Sequence, residues 1–281
     1  MKTGLVLEGG AMRGLFSAGA MDVLMENCIR FDGIIGVSAG AAFGCNYKSG
    51  QAGRAIRYNT AYSRDPRYCS LRSLIKTGDL YGADFCYHVL PEKLDIFDNE
   101  AFFNDPADFY VVCTDVNTGE PVYKKIDTSE SDCFEWIRAS ASMPLASRIV
   151  EIDGYSLLDG GISDSIPLKF FEDAGFDKNI VILTQPDNFT KKKNRLIPVM
   201  KIALKDYPKV VKAMKHRHEI YNLTLEYVKK KELSGDILVI RPETPLQIGR
   251  VEHNPEKMMK VYEEGRSAAL KMISEIKEFL K

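Results

Sequence analysis

Three short stretches of this chain carry residues that could do acyl chemistry. They are Gly36-Val37-Ser38-Ala39-Gly40, Glu8-Gly9-Gly10-Ala11-Met12-Arg13-Gly14 and Asp159-Gly160-Gly161. A serine hydroxyl is a weak nucleophile until a neighbouring base takes its proton. Its attack on a carbonyl also creates a negative charge that donors must hold. The first stretch follows the apolar run Ile34-Ile35 and fits a nucleophile elbow, a sharp strand-to-helix turn that strains the serine and points its hydroxyl outward. The glycines two residues either side leave room for the close backbone approach in such a turn. Taken alone, the five residues read equally well as an ordinary small-residue turn.

The glycine-rich stretch follows Gly4-Leu5-Val6-Leu7, a continuous apolar run expected of a buried parallel strand. An amphipathic helix is expected to follow from about Leu15 to Asn27. Strand, glycine turn and helix together direct backbone amides at an anion. A dinucleotide fingerprint would need glycine at position 11, where Ala11 stands, so its spacing fails. An oxyanion hole made by the amides of Gly9, Gly10 and Ala11 competes with a tight turn that binds nothing. The second strand is expected over Phe31 to Val37, with Ser38 at its C-terminal end. Strand C-termini of open α/β sheets line the ligand crevice, so the glycine loop and the serine emerge on one edge.

Asp159 ends the second arm of a hairpin expected over Ile149–Ile152 and Tyr155–Leu158, joined by the type I′ signal Asp153-Gly154. A carboxylate there is held rigidly while the chain turns away, though Asp-Gly-Gly alone is a common turn. Phe109–Asp115 and Pro121–Ile126 form another hairpin. Phe134–Ser142 reads as helix, and Ile180–Thr184 as a strand after a helix end at Ala174–Asp177. Residues 50 to 104 read as helix and loop, rich in aromatics (Tyr58, Tyr62, Tyr68, Tyr81, Phe85, Tyr87, Phe97, Phe102, Phe103). Plain core is the first reading of these rings and an apolar acyl pocket the second. His88 has no carboxylate partner visible in the sequence and reads as structural.

The composition excludes several classes. With 281 residues, 45% hydrophobic, 27% charged and a formal net charge of -1, the chain lacks the basic excess of a nucleic-acid binder. The six cysteines are scattered without a Cys-x-x-Cys pair and read as core residues in a reducing compartment. The apolar run before Glu8 is too short for a signal peptide, and no stretch approaches a membrane span, so a cytoplasmic protein is expected.

Beyond residue 187 the character changes. Lys191, Lys192, Lys193 and Arg195 are followed by Lys201, Lys205, Lys209, Lys212 and Lys215, opposite the apolar face Met200, Leu204, Tyr207, Val211 and Met214. Pro208 divides or kinks this segment. It reads first as a solvated lysine face over an apolar face packed on the core. Peripheral contact of residues 191–217 with an anionic membrane is the alternative. A strand is expected over Ile237–Ile240, and Asn254-Pro255 opens a helix running close to Lys281.

Taken in chain order, glycine loop, elbow and Asp-Gly-Gly, the three motifs resemble the patatin-like phospholipase family over about residues 4–185, and the remainder is similar to the tail of a bacterial subgroup. The resemblance implies a three-layer α/β/α fold with a mostly parallel sheet. The core would span residues 1–187; since no linker composition sets off 188–281, that part is expected to be an elaboration packed on the same domain, an independent subdomain being the alternative. The resemblance also implies a lipid-ester hydrolase of the phospholipase A or lysophospholipase kind, needing no metal or organic cofactor. Ser38 would be the nucleophile, Asp159 the base, and Gly9, Gly10 and Ala11 the oxyanion donors. Arg13 would order the loop, and Gly14, Gly36, Gly40 and Gly160 would support the turns. Ala11 departs from the pattern, because a third glycine is usual there; alanine costs little unless the residue needs positive φ. None of the four histidines (His88, His216, His218, His253) lies in a strand-end context near the motifs, which favours a dyad over a triad. A free aspartate has a pKa of about 3.9, so burial must raise it for useful base strength. An acyltransferase using the same acyl-enzyme, a non-catalytic lipid-binding protein and, disfavoured by its spacing, a nucleotide-binding protein are the alternatives.

Overall fold

A computed structural model describes residues 1–127 and 132–281. In chain order the elements begin with β1 (Lys2–Leu7), α1 (Gly14–Glu26), β2 (Gly33–Val37), α2 (Ala39–Lys48), α3 (Arg54–Ala61), α4 (Leu71–Thr77) and α5 (Asn99–Asn104). There follow β3 (Asp108–Asp115), β4 (Pro121–Lys125), α6 (Cys133–Ser140), β5 (Val150–Ile152), β6 (Tyr155–Asp159), α7 (Leu168–Asp173) and β7 (Phe176–Ile182). The last are α8 (Ile197–Ala203), α9 (Pro208–Leu233), β8 (Ile237–Ile240) and α10 (Pro255–Phe279). Five strands run parallel in the order β3-β2-β1-β7-β8, and β4, β5 and β6 join antiparallel on the β3 side.

The buried stretches of the central strands (Leu5–Leu7 in β1, Ile34–Val37 in β2, Val111–Cys113 in β3 and Ile180–Ile182 in β7) are apolar or glycine because helices cover both faces of the sheet. Leu5 and Leu7 point into a core shared with α1, α2 and α10, whereas Val6 between them points into a second core with α7 and α9. This is a three-layer α/β/α arrangement. The hairpin turn at Asp153 and Gly154 has positive φ at both residues, 50° and 79°, as a type I′ turn requires.

Four expectations are corrected. The helix after the glycine loop is not amphipathic: every residue of α1 from Gly14 to Leu24 is buried. Its outer side is covered by α10, at a contact so close that a Cβ on Gly19 would stand 2.0 Å from the Tyr262 carbonyl oxygen. Asp22, the single charge in that stretch, accepts hydrogen bonds from the Gly53 amide (2.8 Å) and the Tyr262 hydroxyl (2.5 Å). Second, the strand expected at Ile180 begins at Phe176, because Phe176 is buried against Phe171 and Asp177 accepts from the Lys2 amide. Third, Cys28 is exposed, in contrast to buried Cys45, Cys69, Cys113 and Cys133. Fourth, His88 does have carboxylate partners, Glu135 at 3.1 Å and Glu92 at 3.7 Å.

The basic segment splits at Pro208, which takes the first turn of α9 without kinking it. Met200, Val211 and Met214 are buried against Val116, Leu158 and Ile162, and the lysines of the opposite face are exposed. The C-terminal residues extend the sheet through β8 on β7, cover one face with α9 and bury α1 with α10. No helix is long and apolar enough to cross a membrane among the described residues.

Candidate active site

Register along β3 brings the three motifs together. Val37 pairs with Val112, and Asp159 pairs with Cys113, the next residue. β4 occupies the other edge of β3 over Tyr110–Thr114, so β2 and β6 share one edge and meet end to end. Ser38 follows β2 and Asp159 ends β6, which places them together although they lie 121 positions apart in the chain. On the other side of β2, Leu7 pairs with Gly36, so the loop after β1 passes beside Ser38.

The turn at Ser38 is as tight as its glycines suggest. Ser38 adopts φ 54° and ψ −120°, a strained conformation for a residue with a side chain. A Cβ on Gly36 would lie 2.5 Å from the Ala41 nitrogen, and one on Gly40 2.5 Å from the Leu7 carbonyl oxygen. The strain is held by Ser140, whose buried Oγ accepts from the Ser38 amide (2.8 Å) and donates to the Val112 carbonyl (2.6 Å). Ser140→Ala leaves two buried backbone groups unpaired and is expected to cost about 2–3 kcal/mol. Urea unfolding at equilibrium measures this, and a cost under about 0.5 kcal/mol would show that Ser140 does not brace the turn.

Asp159 is fixed by its own backbone and by its neighbours. Its amide donates to the Ser142 carbonyl (2.8 Å), its carbonyl accepts from the Thr114 hydroxyl (2.9 Å), and its Oδ1 accepts from the Gly161 amide (2.8 Å). Gly160 lets the chain turn against β3, because a Cβ there would stand 2.1 Å from the Val112 carbonyl oxygen. Burial raises the Asp159 pKa above the usual carboxylate value; Arg217, the facing Ser38 hydroxyl, the Gly161 amide and Arg250 act in the opposite direction.

In the glycine loop, Gly9 lies against the elbow, with a Cβ there only 3.2 Å from Ser38 Cβ. The Arg13 amide donates to the Gly10 carbonyl (3.1 Å), and Gly14 lets the start of α1 pass Ala39 closely. Ala11 has φ 48°, in the left-handed region. Here the departure from glycine does carry strain, about 1 kcal/mol for an L-residue. Ala11→Gly is therefore expected to leave stability unchanged or raise it by up to about 1 kcal/mol, the greater unfolded-state freedom of glycine offsetting part of the gain. Thermal denaturation reads this, and a clear fall in Tm would mean that the methyl packs usefully.

Two cavities meet at Ser38 and Ala11. One, of about 110 Å³, is apolar and runs behind the serine past Phe43, Tyr58, Tyr87 and Ile137. Of the aromatics over residues 50–104, Tyr58, Tyr68, Tyr81 and Tyr87 line it, whereas Phe97, Phe102 and Phe103 pack in the core. The other, of about 370 Å³, is the more polar of the two: among apolar side chains such as Leu145, Ile162 and Met214 it holds Gly9, Gly10, Arg13, Asp159, Lys191, Arg217 and Arg250 on its walls. No histidine lines either cavity among the described residues.

The patatin-like phospholipase family matches residues 5–171, and a domain of unknown function, DUF6363, matches residues 207–281. The chain belongs to the patatin-like phospholipase family. An uncharacterized protein of Escherichia coli, YjjU, is 32% identical over 190 residues, covering 65% of this chain and 52% of that protein. An uncharacterized NTE family protein of Mycobacterium bovis is 25% identical, covering 64% of this chain and 48% of its own length. The lysophospholipase nte1 of Aspergillus terreus is 28% identical over 62% of this chain, but only 11% of that enzyme is covered. The chain thus spans about half the length of the bacterial relatives it matches. The crystal structure of VipD from Legionella pneumophila aligns at 13% identity with a TM-score of 0.48, over 98% of this chain and 67% of that one.

Several residues of this patatin-like site escaped the sequence reading. Arg217 donates to the Gly161 carbonyl and lies 3.4 Å from the Ser165 hydroxyl. Tyr221, also on α9, donates to Glu8 Oε1 (2.5 Å), while Glu8 Oε2 accepts from the Thr184 amide and hydroxyl. Glu8 is thereby buried and fully engaged beside the glycine loop. The signal for Arg217 was present: Met214, Arg217 and Tyr221 share one face of α9, so a charge sits on its inward stripe.

Proposed function

We propose that this patatin-like protein is a serine acyl hydrolase acting on carboxylic esters of lipids. The observation that carries the reading is the strained Ser38, facing buried Asp159 with an apolar cavity behind it. Ser38 Oγ attacks the acyl carbonyl carbon and its proton passes to Asp159. The tetrahedral oxyanion is held by amides of Gly9, Gly10 and Ala11, donors of a kind typically worth about 3–4 kcal/mol each. The alkoxide leaves with the proton from Asp159. Water, deprotonated by Asp159, then attacks the acyl-enzyme; the bond from the acyl carbon to Ser38 Oγ breaks, Ser38 Oγ takes the proton back from Asp159, and the fatty acid leaves.

Family membership supports a lipid substrate, and the lysophospholipase name of the fungal relative supports ester cleavage. The apolar cavity suits an acyl chain and the polar one the rest of the lipid. A fluorophosphonate probe tests the assignment. It is expected to label the wild-type protein, with the adduct on the peptide containing Ser38, and acyl esters of several chain lengths are expected to be cleaved. A properly folded protein that neither takes the label nor cleaves any ester would end this reading.

A further inference from the structure

The polar cavity beside Ser38 is lined by Arg13, Lys191, Arg217 and Arg250, and by a single carboxylate, Asp159. Among the described residues none of these four cations forms an ion pair within 4 Å. The Arg13 Nε is buried without a hydrogen-bond partner. The Lys191 ammonium rests 3.8 Å from the centre of the Tyr221 ring. Glu8 accepts hydrogen bonds from Thr184 and Tyr221 and does not line this cavity, although its charge acts on Lys191 and Arg217. Arg13, Lys191 and Arg217 are partly buried and Arg250 is exposed. Four like charges gathered around one hollow outnumber its single carboxylate and repel one another, which favours an anion arriving from outside.

We propose that these side chains form a phosphate-binding wall that receives the head group of an anionic lipid. Arg217 and Arg250 come from the residues matched by DUF6363, so that region supplies half of the wall. The inference rests on the acyl-hydrolase reading only for what happens to the ester after binding. A phosphate fits better than a carboxylate because the cations arise from four separate stretches: the loop after β1, the loop before α8, α9 and the loop before α10. A tetrahedral anion offers oxygens to donors converging from several sides, and guanidinium groups match it in pairs. A choline-like head group would need acids or an open aromatic cage, and Asp159 is the one acid present. The depressed Lys191 pKa, pushed down to about 7 by burial and then by Arg217, agrees with cations awaiting a counter-charge.

Binding can be measured without turnover in the Ser38→Ala protein. Titrations use lysophosphatidate and the monoacylglycerol of the same chain, which differ only in the phosphate, with glycerol phosphate and inorganic phosphate as controls. Lysophosphatidate is expected to bind at least about tenfold more tightly than monoacylglycerol. Adding Lys191→Gln or Arg250→Gln is expected to reduce that preference about fivefold or more. These two are chosen because Arg217 also holds the Gly161 carbonyl and its loss could disturb the fold. Inorganic phosphate binding as tightly as the lysolipid would assign the same wall to a free anion. No preference for the phosphate, or a preference untouched by both substitutions, would overturn the proposal. Because nothing is hydrolysed, this outcome is independent of probe labelling at Ser38.

Discussion

Ser38→Ala is expected to lower kcat for acyl-ester hydrolysis by at least about 10³-fold while the protein stays folded. The elbow strain resides in the backbone, and alanine at φ 54° bears it as serine does. The amide bond to Ser140 is made by the backbone and survives the substitution. What disappears is the proposed nucleophile and one group that lowers the Asp159 pKa, so the carboxyl becomes still easier to protonate. Steady-state hydrolysis together with the far-UV spectrum and Tm separates loss of chemistry from loss of fold. Activity within tenfold of wild type would place the nucleophile elsewhere.

Asp159→Asn should lose activity by about 10³–10⁴-fold and gain stability at neutral pH. Asparagine cannot take the serine proton, yet its oxygen can still accept from Gly161, so position is kept while base strength is lost. The stability gain follows from proton linkage. The folded-state pKa of Asp159 is raised above its unfolded value, so the folded protein binds the proton more tightly. Stability from this group is fully present below the unfolded pKa of about 3.9 and is lost as pH rises through the folded pKa. Above that range wild type carries an uncompensated cost that the neutral amide avoids, and Tm should rise by a few degrees. The wild-type rate should fall on acidification through the same raised pKa, and the limb should be absent from any residual activity of Asp159→Asn. A variant that is equally active, or less stable at neutral pH, would contradict this account.

The three motifs were legible because each depends on local backbone demands. Gly36 and Gly40 are required by contacts within a few residues of the turn or with the neighbouring strand, and the spacing of glycines displays that requirement. The strand-end placement of Ser38 and Asp159 followed from apolar runs bounded by turns. Ser140 was not legible, since a serine late in a helix shows nothing until β2 and α6 are packed together. The burial of α1 was misread for the same reason: its outer side is covered by α10, whose approach depends on a glycine contact some 240 residues away in sequence. The positive φ of Ala11 was likewise invisible, because φ is a property of the folded loop and alanine rarely advertises it.

Tyr221 reaches Glu8 across 213 residues, and Arg217 grips the turn after Asp159. A chain made from its N-terminus therefore exposes the elbow and the glycine loop long before the helix that braces them exists. Ser38 would meet lipid in the growing chain without a settled partner carboxylate or a finished cavity. On the proposed mechanism, the site is complete only once α9 has been made and docks. On the proposed acyl-hydrolase reading, a fragment or stalled chain lacking α9 would carry Ser38 without the helix that braces its site.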